Sequence, residues 1–152
     1  MRKAIEVAVG LLARREHSVQ QLNQKLAKRG FDEPAITSAL ASCQRLNLQS
    51  DTRFAEATCR SRIGRGYGPL MIKQLLQHEG VASDIIERVF EEFNQDIDWV
   101  AEVSSVWVKK YRVYDPEDKA RQKQWQFLRY RGFDDATIRA MFQTLEAESH
   151  NY

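Results

Sequence analysis

The chain has 152 residues, 43% hydrophobic and 29% charged, with three prolines and seven glycines. That composition excludes a disordered or collagen-like chain, and the length excludes a large multidomain enzyme. With 23 Lys and Arg against 21 Asp and Glu, the net charge of +2 is too small for a protein whose whole surface grips nucleic acid, so any electrostatic function must be regional.

From the N-terminus, Ile5, Ala8, Val9 and Leu12 are spaced as one face of a first helix. Ser18-Val19-Gln20-Gln21 reads as a capping box that opens a second helix presenting Leu22 and Leu26. Gly30 closes it, because glycine accepts the left-handed conformation past a helix end. Asp32 and Pro34 start a third helix with Ile36, Ala39, Leu40 and Cys43 as its buried stripe. A second set begins near Asp51 with Phe54, Ala55 and Thr58; Gly68-Pro69 opens its middle helix, which carries Ile72, Leu75 and Leu76. Ser83 caps the next, whose inner face is Ile86, Val89, Phe90 and Phe93. A third set begins near Asp96, read as a cap, and runs through Val100, Val103 and Trp107. Asp115-Pro116 opens its middle helix, and Asp134 or Asp135 the last, with Ile138, Met141, Phe142 and Leu145. No sustained period-two run of β-branched residues occurs, so the prediction is nine helices and no sheet.

The sets are copies of one another. Leu26, Leu76 and Leu128 each stand four residues before a glycine (Gly30, Gly80, Gly132), and an apolar residue follows each glycine: Phe31, Val81, Phe133. Ile36, Ile86 and Ile138 stand six residues after it, and apolar pairs nine and ten after it. The expected fold is therefore all-α: three tandem three-helix repeats over 1–50, 51–95 and 96–152, stacked as an elongated, curved solenoid. One irregularity is that Gln124, with Trp125 beside it, stands where the other copies have Leu22 and Ile72, which suggests a rotated middle helix in the third repeat.

Cys43 and Cys59 are too few and too isolated for a disulfide framework or zinc finger and read as reduced thiols. No apolar run approaches the ~18 residues of a membrane span, and the first residues lack the apolar stretch of a secretory signal, so a cytoplasmic location is expected. His17, His78 and His150 make no metal-ligand spacing with Cys, Asp or Glu, and neither cysteine has a recognisable base nearby. No metal, cofactor or catalytic residue is expected.

Charge is segregated along the chain. Residues 53–78 carry five basic and one acidic residue, 79–102 one basic and eight acidic, and 103–131 eight basic and three acidic. The most unusual stretch is Arg60-Ser61-Arg62-Ile63-Gly64-Arg65-Gly66-Tyr67-Gly68-Pro69. Its glycine spacing lacks the G-x-x-x-x-G-K-[ST] of a phosphate-binding loop and the strand that precedes one. Two readings stay open: a plain interhelical turn, or a binding loop whose arginines meet acidic groups or phosphates while the ring stacks. Candidate binding residues are Arg60, Arg62, Arg65, Tyr67, Lys73, Lys109, Lys110, Arg112, Arg129 and Arg131, set against the alternative that such cations merely solvate outward helix faces. Of the aromatics concentrated in the last third, Tyr114, Trp125 or Tyr130 is the expected exposed anchor.

Leu48 and Asp51-Thr52-Arg53-Phe54-Ala55, Arg62 with Gly66-Tyr67-Gly68-Pro69, Ile72, Gln74-Leu75 and Gly80-Val81 together form a recognisable pattern. It continues through Asp96-Ile97-Asp98-Trp99, Phe127-Leu128 and Tyr130-Arg131-Gly132-Phe133. On these residues the chain resembles the RecX family of bacterial RecA regulators over nearly its whole length. The resemblance implies tandem three-helix repeats that lie in the groove of the RecA filament on DNA. There they limit filament growth and damp ATP hydrolysis, strand exchange and the repressor self-cleavage of the SOS response. It implies a monomer whose partner is the RecA filament, with single- or double-stranded DNA a weak or accessory ligand and no membrane involved. The alternative is a helix-turn-helix-like DNA-binding module acting without RecA.

Overall fold

The computed structural model of the chain describes residues 2–150, with the side chain of His150 excluded. Among them are nine α-helices and no strand: α1 (Ala4–Arg14), α2 (Val19–Lys28), α3 (Glu33–Arg45), α4 (Asp51–Gly64), α5 (Pro69–His78), α6 (Ser83–Asp96), α7 (Trp99–Tyr111), α8 (Asp118–Tyr130) and α9 (Asp135–His150). They form three successive three-helix repeats. None of the nine is long and apolar enough to cross a membrane.

The repeated Leu-x-x-x-Gly-apolar signature has one physical cause. At the end of α2 the Gly30 N–H donates to the Ala27 carbonyl and the Phe31 N–H to the Leu26 carbonyl, with Gly30 at φ 91°. This double closure satisfies two otherwise orphaned carbonyls and requires a left-handed residue. The same pair of bonds closes α5 at Gly80 (φ 83°) and α8 at Gly132 (φ 102°). Leu26, Leu76 and Leu128, which accept the longer bond, are fully buried, so each leucine anchors both the core and the turn.

Compact packing divides the chain into two units, Met1–Thr58 with Leu76–Phe90 and Cys59–Leu75 with Glu91–Tyr152, so residues of the middle repeat belong to both. In the first unit Ala4, Val7, Ala8 and Leu11 of α1 pack with Leu22, Leu26, Ile36, Ala39, Leu40 and Cys43. The buried face of α1 is thus turned from the expected Ile5, Ala8, Val9 and Leu12. Val9 is exposed, while Ile5 and Leu12 lie at the edge. The reason is compositional: Ala4 to Leu12 is apolar almost throughout, so two registers satisfy the same spacing, and the one that brings the small Ala4 and Ala8 inward lets the neighbouring helix approach closely.

Two further boundaries differ from expectation. Asp96 is the last residue of α6, and the cap of α7 is Asp98, whose Oδ1 accepts from the N–H groups of Val100 and Ala101. α8 starts at Asp118 rather than at Asp115-Pro116. Asp115 instead accepts from the Glu117 N–H in a local turn, which halts the chain before the helix begins.

In the second unit Val103, Trp107, Leu128, Phe133, Ile138, Met141 and Phe142 make a core, on which Trp125 stacks against Phe142 at 5.7 Å. Gln124 keeps the inward slot of Leu22 and Ile72, only 5% exposed, and its Oε1 accepts from the buried Trp107 Nε1–H at 2.8 Å. α8 is therefore not rotated. The polar residue is accommodated because the buried Trp107 indole N–H needs an acceptor there.

The Asp51–Ala55 motif is a structural joint. Asp51 Oδ1 accepts from the Val19 N–H at the start of α2 and from Gln49 Nε2. Arg53 donates to Glu16 Oε1 and to both the Oδ1 and the carbonyl of Asn47, a left-handed residue (φ 58°) that ends α3 as the glycines end the middle helices. Beside it His17 is 1% exposed. Its Nδ1–H donates to the Arg15 carbonyl and its Nε2 accepts from Lys25 Nζ at 2.9 Å. Burial holds the imidazole below its usual pKa; the hydrogen bond to the Arg15 carbonyl opposes that shift, while the charges of Arg15 and Lys25 add to it.

Candidate functional site

The stretch from Arg60 to Pro69 ends α4 and begins α5. Gly66, at φ 86°, repeats the closure of the middle helices: its N–H donates to the Ile63 carbonyl and the Tyr67 N–H to that of Arg62. The next residues reach α8. The Gly68 N–H donates to the Arg131 carbonyl (2.8 Å) and the Leu70 N–H to the Gly132 carbonyl (3.0 Å). A methyl on Gly68 would sit 2.5 Å from the Gly132 carbonyl carbon and oxygen, and one on Gly66 3.0 Å from Val106. At Gly68 two backbones meet without room for a side chain, whereas Gly66 is required by its left-handed φ, with the Val106 side chain close against it.

Arg131 fixes what lies beside this joint. Its Nη1 donates to the Arg65 carbonyl at 3.1 Å. Its guanidinium carbon lies 4.9 Å from the Tyr67 ring centroid and 5.3 Å from that of Phe127. Arg62 stands over Tyr67 as well, at 5.8 Å. Cations on aromatic faces are held in place while keeping their charge, so these arginines are ordered rather than waving in solvent.

Arg131 also lines an open cleft of about 610 Å³. The end of α4 contributes Arg60, Ile63 and Arg65; α7 contributes Glu102, Ser105, Val106, Lys109 and Lys110; α8 contributes Phe127 and Arg131. Phe93 and Ile97 complete an apolar floor. Lys110 Nζ lies 3.8 Å over Phe127, its arm along the ring. Five cations against the single carboxylate of Glu102 make the cleft strongly positive, and apolar side chains beneath lower the local dielectric. Beside it, burial pushes the Tyr111 phenol above its usual range, so that ring is neutral. The arrangement suits a flat or extended anionic group: phosphates or carboxylates at the rim, a base or apolar side chain on the floor.

Of the ten residues expected to bind, Arg60, Arg65, Lys109, Lys110 and Arg131 come together here, although they stem from three helices. Arg62 and Tyr67 instead border a smaller depression of about 220 Å³ with Met71, Leu75 and Tyr130. Lys73 lies half-buried on α5, and Arg112 is exposed past the end of α7 in a left-handed conformation (φ 65°). Arg129 is turned to Asp135, whose carboxylate takes both its Nε and Nη2 and also the Trp125 Nε1–H. Those bonds, Trp125 first, hold Asp135 below the usual carboxylate range. Among the three aromatic anchors considered, Tyr130 is 80% exposed, whereas Trp125 is stacked and Tyr114 donates to Glu146. Ile63, Val106 and Phe127 were missed as lining residues of the cleft. Each lies within four residues of a candidate cation, and Ile63 and Phe127 fall within stretches already singled out, but nothing in the sequence brings the three together.

The chain is thus an all-α array of three-helix units with one strongly cationic cleft. The family models for the first, second and third three-helix domains of RecX match residues 4–43, 50–89 and 97–142. The chain belongs to the RecX family. It is 40% identical over 148 residues to the regulatory protein RecX of Legionella pneumophila, covering 97% of each chain. It is 39% identical over 136 residues to that of Halorhodospira halophila, covering 89% of this chain and 83% of that one. The fold is similar to the crystal structure of RecX from Lactobacillus salivarius, with a TM-score of 0.78 at 20% identity over 95% of both chains. The relatives are regulatory proteins by name, and the family supports a regulatory role for this chain.

Proposed function

We propose that the chain is a non-catalytic, cytoplasmic regulator that lodges as a monomer in the groove of the RecA filament on DNA and damps its ATPase, recombinase and coprotease activities. The observation that carries this reading is the gathering of Arg60, Arg65, Lys109, Lys110 and Arg131 above an apolar floor, in a chain of the RecX family. Such a surface engages carboxylates or phosphates along a polymer groove. Successive three-helix units that each touch a different protomer add weak contacts through effective concentration. Bridging adjacent protomers opposes the motions that accompany nucleotide hydrolysis, so inhibition needs no active-site chemistry of its own.

The test is the RecA ATPase on single-stranded DNA. Substoichiometric protein lowers the rate, and an unchanged rate at saturation overturns the proposal. A helix-turn-helix reading requires a basic recognition helix, but α6 carries Asp84, Glu87, Glu91, Glu92 and Asp96 against the single Arg88. Tight, steeply salt-dependent binding to naked DNA with no effect on RecA would favour that reading instead.

A further inference from the structure

Six described residues hold a positive φ, and each lies just past a helix end. Four are glycines and one is Asn47, types that take this conformation at little cost. The sixth is Arg112, with a long side chain and a ψ of −38°. There the Val113 N–H folds back to the Tyr111 carbonyl, two residues away, at 2.7 Å. This is a γ-turn of the rare, positive-φ hand, a strained stop for any residue with a Cβ.

The stop falls where α7 leaves the cleft. Glu102, Ser105, Val106, Lys109 and Lys110, which line it, stand at i, i+3, i+4, i+7 and i+8, one stripe of the helix. The same stripe continues at i+10 and i+11, which are Arg112 and Val113. Both now lie off it in solvent, and Val113 is 75% exposed, more than any other large aliphatic residue described.

We propose that α7 runs on through Val113 when an anion occupies the cleft, bringing Arg112 to the rim as a sixth cation and laying Val113 against the stems of Lys109 and Lys110. The inference rests on reading the cleft as an anion site. Without the anion, an Arg112 one turn from Lys109 would crowd five cations, which opposes the extension; the anion reverses that balance. Little holds the present turn. The Tyr114 hydroxyl reaches Glu146 Oε1 only at 3.4 Å, whereas Arg121 holds the same oxygen at 2.8 Å, so Glu146 keeps a partner if the ring moves. Asp115, the next carboxylate along the chain, already accepts from the Glu117 N–H at 3.0 Å. Pro116 sets the limit, because in a helix its ring would meet the Arg112 carbonyl, and it disfavours helical backbone at Asp115.

The test uses the whole isotope-labelled chain at low salt, with inorganic tripolyphosphate as the anion and backbone NMR shifts as the readout. Titration should move Arg112 and Val113 from turn to helical shifts along the same curve as Lys109 and Arg131. Two variants remove the same charge and differ in the backbone they favour: Arg112→Gly relieves the turn, whereas Arg112→Ala favours the helix. Residues 112 and 113 should be helical in Arg112→Ala without the anion and remain a turn in Arg112→Gly at saturation. Both variants should bind tripolyphosphate roughly two- to fivefold more weakly than the natural chain, the effect of one exposed charge. Saturation at Lys109 and Arg131 with residues 112 and 113 unmoved, or one backbone conformation shared by the two variants, would overturn the extension alone. A cleft that ignores tripolyphosphate would overturn it together with the anion reading. A clear extension beside an unchanged RecA ATPase would uphold it and remove only the function proposed above.

Discussion

Replacing Gly68 by alanine tests the joint on which the cleft depends. The new methyl would sit 2.5 Å from the Gly132 carbonyl carbon and oxygen and 2.7 Å from the Phe133 nitrogen, about 1 Å or more inside normal carbon contact. All three atoms are backbone, so no side chain can swing away. Either the overlap persists, at the roughly 1–3 kcal/mol typical of overpacking, or the segments part and lose the bonds from Gly68 to Arg131 and from Leu70 to Gly132. Those two are worth about 1–3 kcal/mol together. Because each route relieves the other, the expected loss is about 2–3 kcal/mol, which lowers Tm by roughly 4–12 °C for a chain of this size. Gly10→Ala and Gly64→Ala are the controls, since nothing lies within 4 Å of either position and both are helical. Each should leave stability unchanged or raise it by up to about 1 kcal/mol. If thermal unfolding placed Gly68→Ala within about 0.5 kcal/mol of these controls, the close approach would not be a property of the folded protein.

Three further outcomes follow from the geometry. Gln124→Leu fills the slot but strands the Trp107 indole N–H, and should cost about 1–3 kcal/mol, whereas Trp107→Phe in the same background should cost less than the two single losses combined; strict additivity in denaturant titrations would dissolve the pair. His17, held below its usual pKa mainly by burial, favours folding by staying neutral, so its contribution is complete above about pH 6.5 and is lost as pH falls toward its lowered folded value. Unfolding midpoints should therefore fall between about pH 7 and 5, and His17→Gln should flatten that dependence; parallel curves would remove His17 as the cause. Lys109→Glu with Arg60→Glu should weaken inhibition of the RecA ATPase at least tenfold, about 1.4 kcal/mol, with helix content intact, and equal potency would move the contact away from the cleft.

What could be read from the sequence were the features with a local cause. A capping box, a left-handed glycine and the buried leucine four residues before it all act within one turn, so the ends of the middle helices and the threefold repetition were legible, though the start of α8 was not. The inward face of α1 was not, because a nearly all-apolar helix leaves its register to be chosen by the partner helix. Nor was the role of Gln124, which depends on an indole 17 residues away. The cleft falls between these cases. Its cations were visible as charged segments, but which of them converge depends on contacts such as that between Arg131 and Arg65, 66 residues apart. Arg129 shows the limit plainly: two residues from Arg131 and equally basic, it is turned into a pair with Asp135.

The segment 60–69 is a turn by its backbone, and the binding role proposed for it rests on the same contacts. Gly66 and Gly68 let the backbone touch α7 and α8, and that contact brings the Arg65 carbonyl within reach of Arg131. Arg131 then spans both roles, stacked on Tyr67 at the joint and on Phe127 at the cleft floor. A change at the glycines should thus disturb the cleft without removing any of its charges. If Gly68→Ala lowers inhibitory potency at temperatures where the variant is still fully folded, the loss comes from misplaced cations. Arg131→Lys, which keeps the charge but loses the planar stacking and the fixed fork, should then reproduce part of that loss with little change in Tm.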